Sequence, residues 1–168
     1  MELDKNIADF ALEYARSRKV EYAEVRAHSE NGEGVVVKNG VLDAYSKAVD
    51  SGFCVRILAE GGIGFASTNR WTKEEAKSIV DIAYKYAKIA KRKEKIFFAE
   101  EKSAKANWGV PERERIEDVP PETRIQTVME VDRALTSLGI NIAARVFGLG
   151  TSLTEKYFVN TEDSTISS

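Results

Sequence analysis

The sequence predicts an α+β domain in which helices cover one face of an antiparallel β-sheet. Apolar residues recur at helical spacing near the N-terminus and again after Thr72, and strand-like runs fill the region between. The turns between those runs are too short for parallel crossovers, so an antiparallel meander is expected. The chain has 168 residues, 43% of them hydrophobic, and a net charge of −2, which indicates a soluble globular protein.

The first segment is predicted to be a helix that ends in a basic turn. Its apolar face carries Leu3, Ile7, Phe10, Ala11 and Tyr14. The periodicity then changes to two, which predicts a strand with one buried and one solvated face. The buried face carries Ala23, Val25 and Ala27. The solvated face carries Glu24, Arg26 and His28.

Short turn signals divide the next region into a meander of five strands. The turns are predicted at Asn31-Gly32, Asn39-Gly40, Asp50-Ser51-Gly52 and Gly61-Gly62. Asn-Gly favours a type I′ hairpin turn, because both of its central residues adopt positive φ. Gly61 to Gly64 precede a strand and not a helix, which favours a hairpin turn over a phosphate-binding loop.

A second helix begins at Thr72, where Thr72 and Glu75 form a predicted capping box. Residues 1–93 are therefore expected to form a helix–meander–helix segment, followed by an irregular connector over 94–120. Residues 121–168 are expected to form a helix that ends at Gly139, strands over 140–149 and 153–159, and a turn at 160–163. Because the chain stops where a further strand begins, we expect 1–168 to be one domain that has been truncated.

The residue inventory excludes several kinds of site. One His and one Cys cannot form a His-built zinc site or an internal disulfide, so we expect no metal-binding residues. The near-neutral charge argues against direct nucleic-acid binding. No apolar stretch resembles a signal peptide or a membrane span, and the unpaired Cys suits the cytoplasm.

Three side chains in the first half of the chain are candidate functional groups. His28 is interpreted as a solvated or surface-bonded histidine, and Cys54 as a buried, unreactive thiol. Arg56 lies in an otherwise apolar strand, so its charge requires a carboxylate, carbonyl groups or solvent. A structural ion pair and a guanidinium presented to a bound peptide are both open interpretations.

Three segments carry a resemblance to a known family. They are Ser51 to Ile57, Gly61 to Asn69 with the capped Ala-rich helix after it, and Glu155 to Asn160. Together with the opening helix and Ala23 to Arg26, they resemble the N-terminal domain of TldD/PmbA proteins, also labelled peptidase U62 or modulator of DNA gyrase. Within this family, the chain is expected to be TldD-like and not PmbA-like. The family usually reads Asn-Ser-Glu-Gly where this chain has Asn160-Thr161-Glu162-Asp163.

The resemblance implies a non-catalytic N-terminal domain of a zinc metallopeptidase. The zinc and the His-Glu-x-x-x-His segment that binds it are expected in a C-terminal domain that this chain lacks, so the chain alone is expected to be inactive. The implied partners are that catalytic domain, a second TldD/PmbA-type subunit and an unfolded peptide held in an extended form. The residues expected to contact a peptide or a partner are Arg56, Gly64, Phe65 and Asn160.

Two other functions remain open from the sequence. One is a stand-alone interaction module that binds a protein partner through an open sheet edge. The other is a nucleic-acid-associated regulator that uses the basic end of the second helix. The residues of that basic end are Lys85, Lys88, Lys91, Arg92, Lys93 and Lys95.

Overall fold

The computed structural model describes residues 3–99 and 101–168 as three α-helices, one short 3-10 helix (Ile116–Asp118) and six strands. The helices are α1 (Lys5–Ser17), α2 (Lys73–Ile89) and α3 (Pro121–Ser137). The strands are β1 (Tyr22–Lys38), β2 (Val41–Ala59), β3 (Gly62–Thr68), β4 (Lys105–Asn107), β5 (Val146–Asn160) and β6 (Thr165–Ser167). One sheet has the strand order β3-β2-β1-β5-β6-β4. The predicted α+β class is confirmed.

The chain divides into two compact units. Unit 1 comprises residues 1–29, 50–109 and 154–168, and unit 2 comprises residues 30–49 and 110–153. The long strands β1, β2 and β5 each contribute residues to both units.

Unit 1 has its core between the two N-terminal helices and one face of the sheet. Asp4 caps α1 by accepting from the backbone N–H groups of Asn6 and Ile7, and Thr72 caps α2 by accepting from the N–H of Glu75. The predicted start of α2 at Thr72 is thus confirmed. Fully buried residues of the core include Ala8, Ala11, Val25, Val55, Ile57, Val80 and Ala83.

The meander contains three strands where the sequence predicted five. Of the two Asn-Gly pairs, only Asn39 and Gly40 have positive φ, at 50° and 81°. The prediction of a turn at Asn31-Gly32 was wrong, because β1 continues through it as an extended strand. Sheet pairing with neighbouring strands stabilises that extended conformation, and a local turn motif does not override it.

The predicted turn at Asp50-Ser51-Gly52 was also wrong, because β2 runs unbroken through it. A Cβ at Gly52 would lie 2.6 Å from the carbonyl oxygen of Thr68, so this glycine permits close approach of the end of β3. The turn between β2 and β3 is confirmed, with positive φ at Glu60 and Gly61.

The C-terminal region forms one long strand and a short one. The two strands predicted over 140–149 and 153–159 are a single strand, β5, so that division was wrong. The predicted end of α3 at Gly139, with φ of 69°, and the turn after Asn160 are confirmed. Within the predicted connector, β4 pairs in parallel with β6, which the sequence did not indicate.

Unit 2 has a smaller core, which lies between α3 and the parts of the strands that belong to this unit. Val35, Val37 and Val128 are buried, and Ile125, Met129, Phe147 and Leu149 pack against them. Val35 and Val37 alternate along β1, whereas Val128 lies on the buried face of α3.

Candidate functional site

A buried carboxylate lies on the sheet face of unit 1 that points away from α1 and α2. Glu24 is 4% exposed, although the strand alternation predicted a solvated position, and that prediction was wrong. Its carboxylate accepts from the hydroxyl of Tyr22 at 2.7 Å, from Nε of Arg26 at 2.9 Å and from Nη2 of Arg56 at 2.8 Å. Two guanidinium groups and a phenol thus compensate the desolvation of one carboxylate.

The polar cluster formed by Tyr22, Glu24, Arg26 and Arg56 is covered by an aromatic side chain from the connector. The ring of Phe98 meets the ring of Tyr22 edge to face, with centroids 5.0 Å apart, and lies 5.4 Å from the guanidinium carbon of Arg56. Burial and the hydrogen bond to Glu24 raise the pKa of Tyr22 to about 12.

Arg56 forms the ion pair that was one of its two interpretations, and it keeps further capacity to donate hydrogen bonds. Its side chain is 39% exposed, and its Nε is buried with no hydrogen-bond partner among the described residues. Nη2 is therefore committed to Glu24 and the buried Nε is not accessible to a ligand, so any further hydrogen bond must come from the exposed part of the group.

Asn160 joins the cluster from β5 and also fixes the turn that follows. Its Oδ1 accepts from the backbone N–H of Ser164 at 2.9 Å and of Glu162 at 3.1 Å. Its Nδ2 donates to the hydroxyl of Tyr22 at 3.4 Å. The side chain is buried, so its direct role in this structure is to connect the turn with the polar cluster.

The other two candidate residues lie on opposite faces of β3. Phe65 is 53% exposed and is the cross-strand partner of Arg56 in the antiparallel pair of β2 and β3. Gly64 is buried under α2, where a Cβ would lie 1.9 Å from the carbonyl oxygen of Ala83. We retain Phe65 as a contact candidate, but the geometry gives Gly64 a packing role.

Two cavities flank Arg26 and His28 on this face. One, of about 390 Å³, is lined by both residues together with Cys54, Ser67 and the end of β3. His28 and Cys54 are half-buried, and burial raises the pKa of the thiol. A thiol with a raised pKa is a poor nucleophile, which agrees with the unreactive role predicted for Cys54.

The second cavity, of about 570 Å³, combines basic and apolar side chains. Its basic lining residues are Arg26, His28 and Lys156, and its apolar ones include Trp108, Phe158 and Ile166. The guanidinium carbon of Arg26 lies 5.4 Å from the ring of Phe158, so cation and aromatic ring are already in contact.

Unit 2 contains a buried ion-pair cluster that the sequence reading missed. Arg124, on α3, is 8% exposed and donates to Glu33 at 2.6 Å and to the carbonyl oxygen of Val119 at 2.7 Å. Lys47 lies 3.0 Å from the same carboxylate. Hydrogen bonding from Lys47, with a smaller contribution from Tyr45 and the charge of Arg124, lowers the pKa of Glu33.

A second ion pair ties α3 to the segment before β5. Nε and Nη2 of Arg145 donate to the two carboxylate oxygens of Asp132 at 2.8 and 3.2 Å, and this contact lowers the pKa of Asp132. Arg124, Val128 and Asp132 are spaced four residues apart, so they share the buried face of α3. That spacing was the signal available in the sequence.

Within residues 3–99 and 101–168, no group of three or more His, Cys, Asp or Glu side chains is arranged to hold a metal ion. In the same part of the chain, no helix is long and apolar enough to cross a bilayer.

The segment that builds this face matches a known protein class. Residues 23–87, which span β1 to α2, match the model of PmbA/TldA metallopeptidase domain 1. The resemblance to TldD/PmbA proteins is thus confirmed over this segment.

Comparisons with individual proteins agree with this assignment. A metalloprotease of Methanocaldococcus jannaschii is 31% identical over 70 residues, which are 42% of this chain and 16% of that protein. A crystal structure described as a modulator of DNA gyrase, from Bacteroides thetaiotaomicron, has a TM-score of 0.80 at 19% identity and covers 98% of this chain. TldE from Thermococcus kodakarensis has a TM-score of 0.68 at 14% identity, also over 98% of this chain.

The chain spans only part of these proteins. It covers 38% of the Bacteroides chain and 36% of the Thermococcus chain. At such identities the two structures establish the shared fold.

Proposed function

We propose that this chain is the non-catalytic N-terminal domain of a TldD-like zinc metallopeptidase, located in the cytoplasm. In this role it forms part of the wall of a cavity that holds an extended peptide and contributes subunit contacts. The observation that carries the proposal is the match of residues 23–87 to the first domain of that family. The same segment supplies Glu24, Arg26, Arg56 and Phe65 to the open sheet face.

The chemistry of this face suits an extended peptide. The side chain of Arg56 is partly exposed and stands beside the exposed ring of Phe65, and a peptide offers carbonyl oxygens and apolar side chains at alternating positions. Main-chain hydrogen bonds would hold such a peptide without requiring a particular sequence. The zinc, the catalytic domain and a second TldD/PmbA-type subunit complete the proposed enzyme, with no direct nucleic-acid partner.

Peptide binding tests the role of this face. We expect the chain to bind a fluorescent unfolded peptide, measured by anisotropy, and Phe65→Ala to weaken binding several-fold. Ile89→Ala is the matched control, because Ile89 is an exposed apolar residue at the end of α2. Equal loss in both variants, or no binding by the unmodified chain, would contradict the peptide role.

The gene provides a second test, which separates the peptidase from the stand-alone interaction module. Continuation of the reading frame, or an adjacent gene, is expected to encode a His-Glu-x-x-x-His segment. A stop codon after Ser168 with no such segment nearby would favour the interaction module. The purified chain is expected to hold no stoichiometric zinc in elemental analysis and to cleave no peptide.

A further inference from the structure

The N-terminal half of β2 forms an edge of the sheet in unit 2. β3 pairs with β2 only from Phe53 to Ala59, and the described residues place no other strand beside the outer edge over 41–50. All ten of these residues are exposed, with Val41 67% and Val49 49% exposed. Natural proteins usually protect such an edge, because its unpaired backbone groups are ready to pair with another strand.

The sequence of this edge is self-complementary about Tyr45. If the strand is read against an antiparallel copy of itself with Tyr45 opposite Tyr45, then Asp43 lies opposite Lys47 and Lys47 opposite Asp43. Val41 lies opposite Val49 at both ends, and the remaining opposed pairs are Leu42 with Ala48 and Ala44 with Ser46. Each apolar residue meets an apolar or small one, and each charge meets its opposite.

The charged side chains are positioned for this pairing. Asp43 makes no hydrogen bond or ion pair within the described residues, so its carboxylate has full capacity to accept. The Nζ of Lys47 lies 3.0 Å from Glu33, and its side chain is 54% exposed. An ammonium group has three donors, so Lys47 can keep its ion pair with Glu33 and also donate to a second carboxylate.

We propose that two copies of this chain pair antiparallel through residues 41–49 of β2, with a two-fold axis at Tyr45. This inference rests on the proposed function, in which the chain contributes subunit contacts. It identifies the partner as a second copy of the chain and the contact as residues 41–49 of β2. A two-fold interface needs a surface complementary to itself, and this strand satisfies that requirement residue by residue. An unfolded peptide or an unrelated protein needs no such symmetry, so a second copy is the occupant that the pattern favours.

Charge exchange across the axis tests the pairing. We expect the unmodified chain to sediment as a dimer, and Asp43→Lys or Lys47→Asp to weaken dimerisation by roughly tenfold or more, since two attractive pairs become repulsive. The double variant with both exchanges is expected to restore the dimer. An equimolar mixture of the two single variants is expected to form a heterodimer, because each chain then supplies the charge that the other needs.

A crosslink tests the position of the axis. Opposed Cα atoms in an antiparallel pair lie about 4.5–5.5 Å apart, which is within disulfide range. In a Cys54→Ser background, Tyr45→Cys is expected to give a disulfide-linked dimer on mild oxidation. Ser137→Cys, at an exposed position on α3, is the control and is expected to remain monomeric.

Each outcome bears on the proposal. A chain that is monomeric at all accessible concentrations, or a dimer unaffected by both charge exchanges, overturns it. Folding of every variant is checked by circular dichroism, and the restored dimer of the double variant separates a lost charge pair from a damaged fold.

Two further outcomes separate this proposal from the peptide role. If the chain is monomeric and its affinity for a peptide falls with Asp43→Lys, then the edge of β2 binds a peptide and the self-pairing is rejected. A dimer that binds no peptide retains this interface and rejects only the peptide role.

Discussion

Arg56 lies between Glu24 on one neighbouring strand and Phe65 on the other. It donates to the buried carboxylate of Glu24 at 2.8 Å and stands opposite the exposed ring of Phe65 in the β2–β3 pair. A single side chain therefore joins the buried polar cluster to the exposed aromatic surface. Changes in the cluster are expected to alter the surface that Arg56 presents.

Removal of the Glu24 carboxylate is expected to destabilise the protein. Glu24→Ala leaves Arg26 and Arg56 without their counter-charge and leaves Tyr22 without its acceptor, at a cost of about 1–3 kcal/mol. Glu24→Gln retains the shape and one acceptor, so it is expected to be less harmful. Urea denaturation measures the free energy of unfolding. Equal stability of Glu24→Ala and the unmodified protein would show that the cluster contributes nothing.

Gly64 is expected to tolerate no side chain. A Cβ at this position would overlap the backbone of α2 at Ala83, and backbone cannot move aside as a flexible side chain can. Gly64→Ala is therefore expected to destabilise the fold by about 1–3 kcal/mol or more. The control is Gly150→Ala, because a Cβ at Gly150 meets nothing within 4 Å. Similar melting temperatures for the two variants would contradict this packing role.

The Tyr22 hydroxyl is expected to make stability fall at alkaline pH. Its pKa is raised to about 12 from an ordinary value of 10, so the folded state favours the protonated phenol. The stabilisation is complete below pH 10 and is lost as the pH rises toward 12, because the unfolded chain ionises first. Tyr22→Phe is expected to weaken this dependence. Unfolding free energies measured across that range, with absorbance at 295 nm reporting phenolate, provide the test.

The ion pair of Asp132 with Arg145 is expected to make stability fall at acid pH. The folded pKa of Asp132 lies below its ordinary value of 3.8, so the ionised carboxylate stabilises the fold above that value. This stabilisation is lost as the pH falls through the lower folded pKa. Asp132→Asn is expected to reduce the dependence of the free energy of unfolding on pH in the acid range. An unchanged dependence would assign the effect to other carboxylates.

The local signals in the sequence were sufficient for the helices and for three of the turns. The capping residue Thr72 and the positive-φ residues Asn39 and Gly40 act within a few residues of themselves. The continuity of β2 and β5 depends on neighbouring strands that are distant in the chain. A local motif such as Asn31-Gly32 therefore predicted a turn at a position where sheet pairing maintains a strand.

The polar cluster shows the same limit at the candidate site. Alternation placed Glu24 correctly on the face away from the helices, and the charge of Arg56 correctly indicated an ion pair. Arg56, which pairs with Glu24, comes from β2, and Phe98, which packs against Arg56, comes from the connector. Periodicity within β1 carries no information about those neighbours, so the cluster as a whole required the structure.

The division of the chain into units has a consequence for how the protein can be cut. Unit 2 consists of two insertions in the sequence of unit 1, one between Ser29 and Asp50 and the other between Gly109 and Thr154. No single cleavage of the gene can therefore isolate either unit, since each is assembled from separate stretches. Their separation requires two internal deletions, with a new short turn joining β1 to β2 and a new linker leading into the last strands.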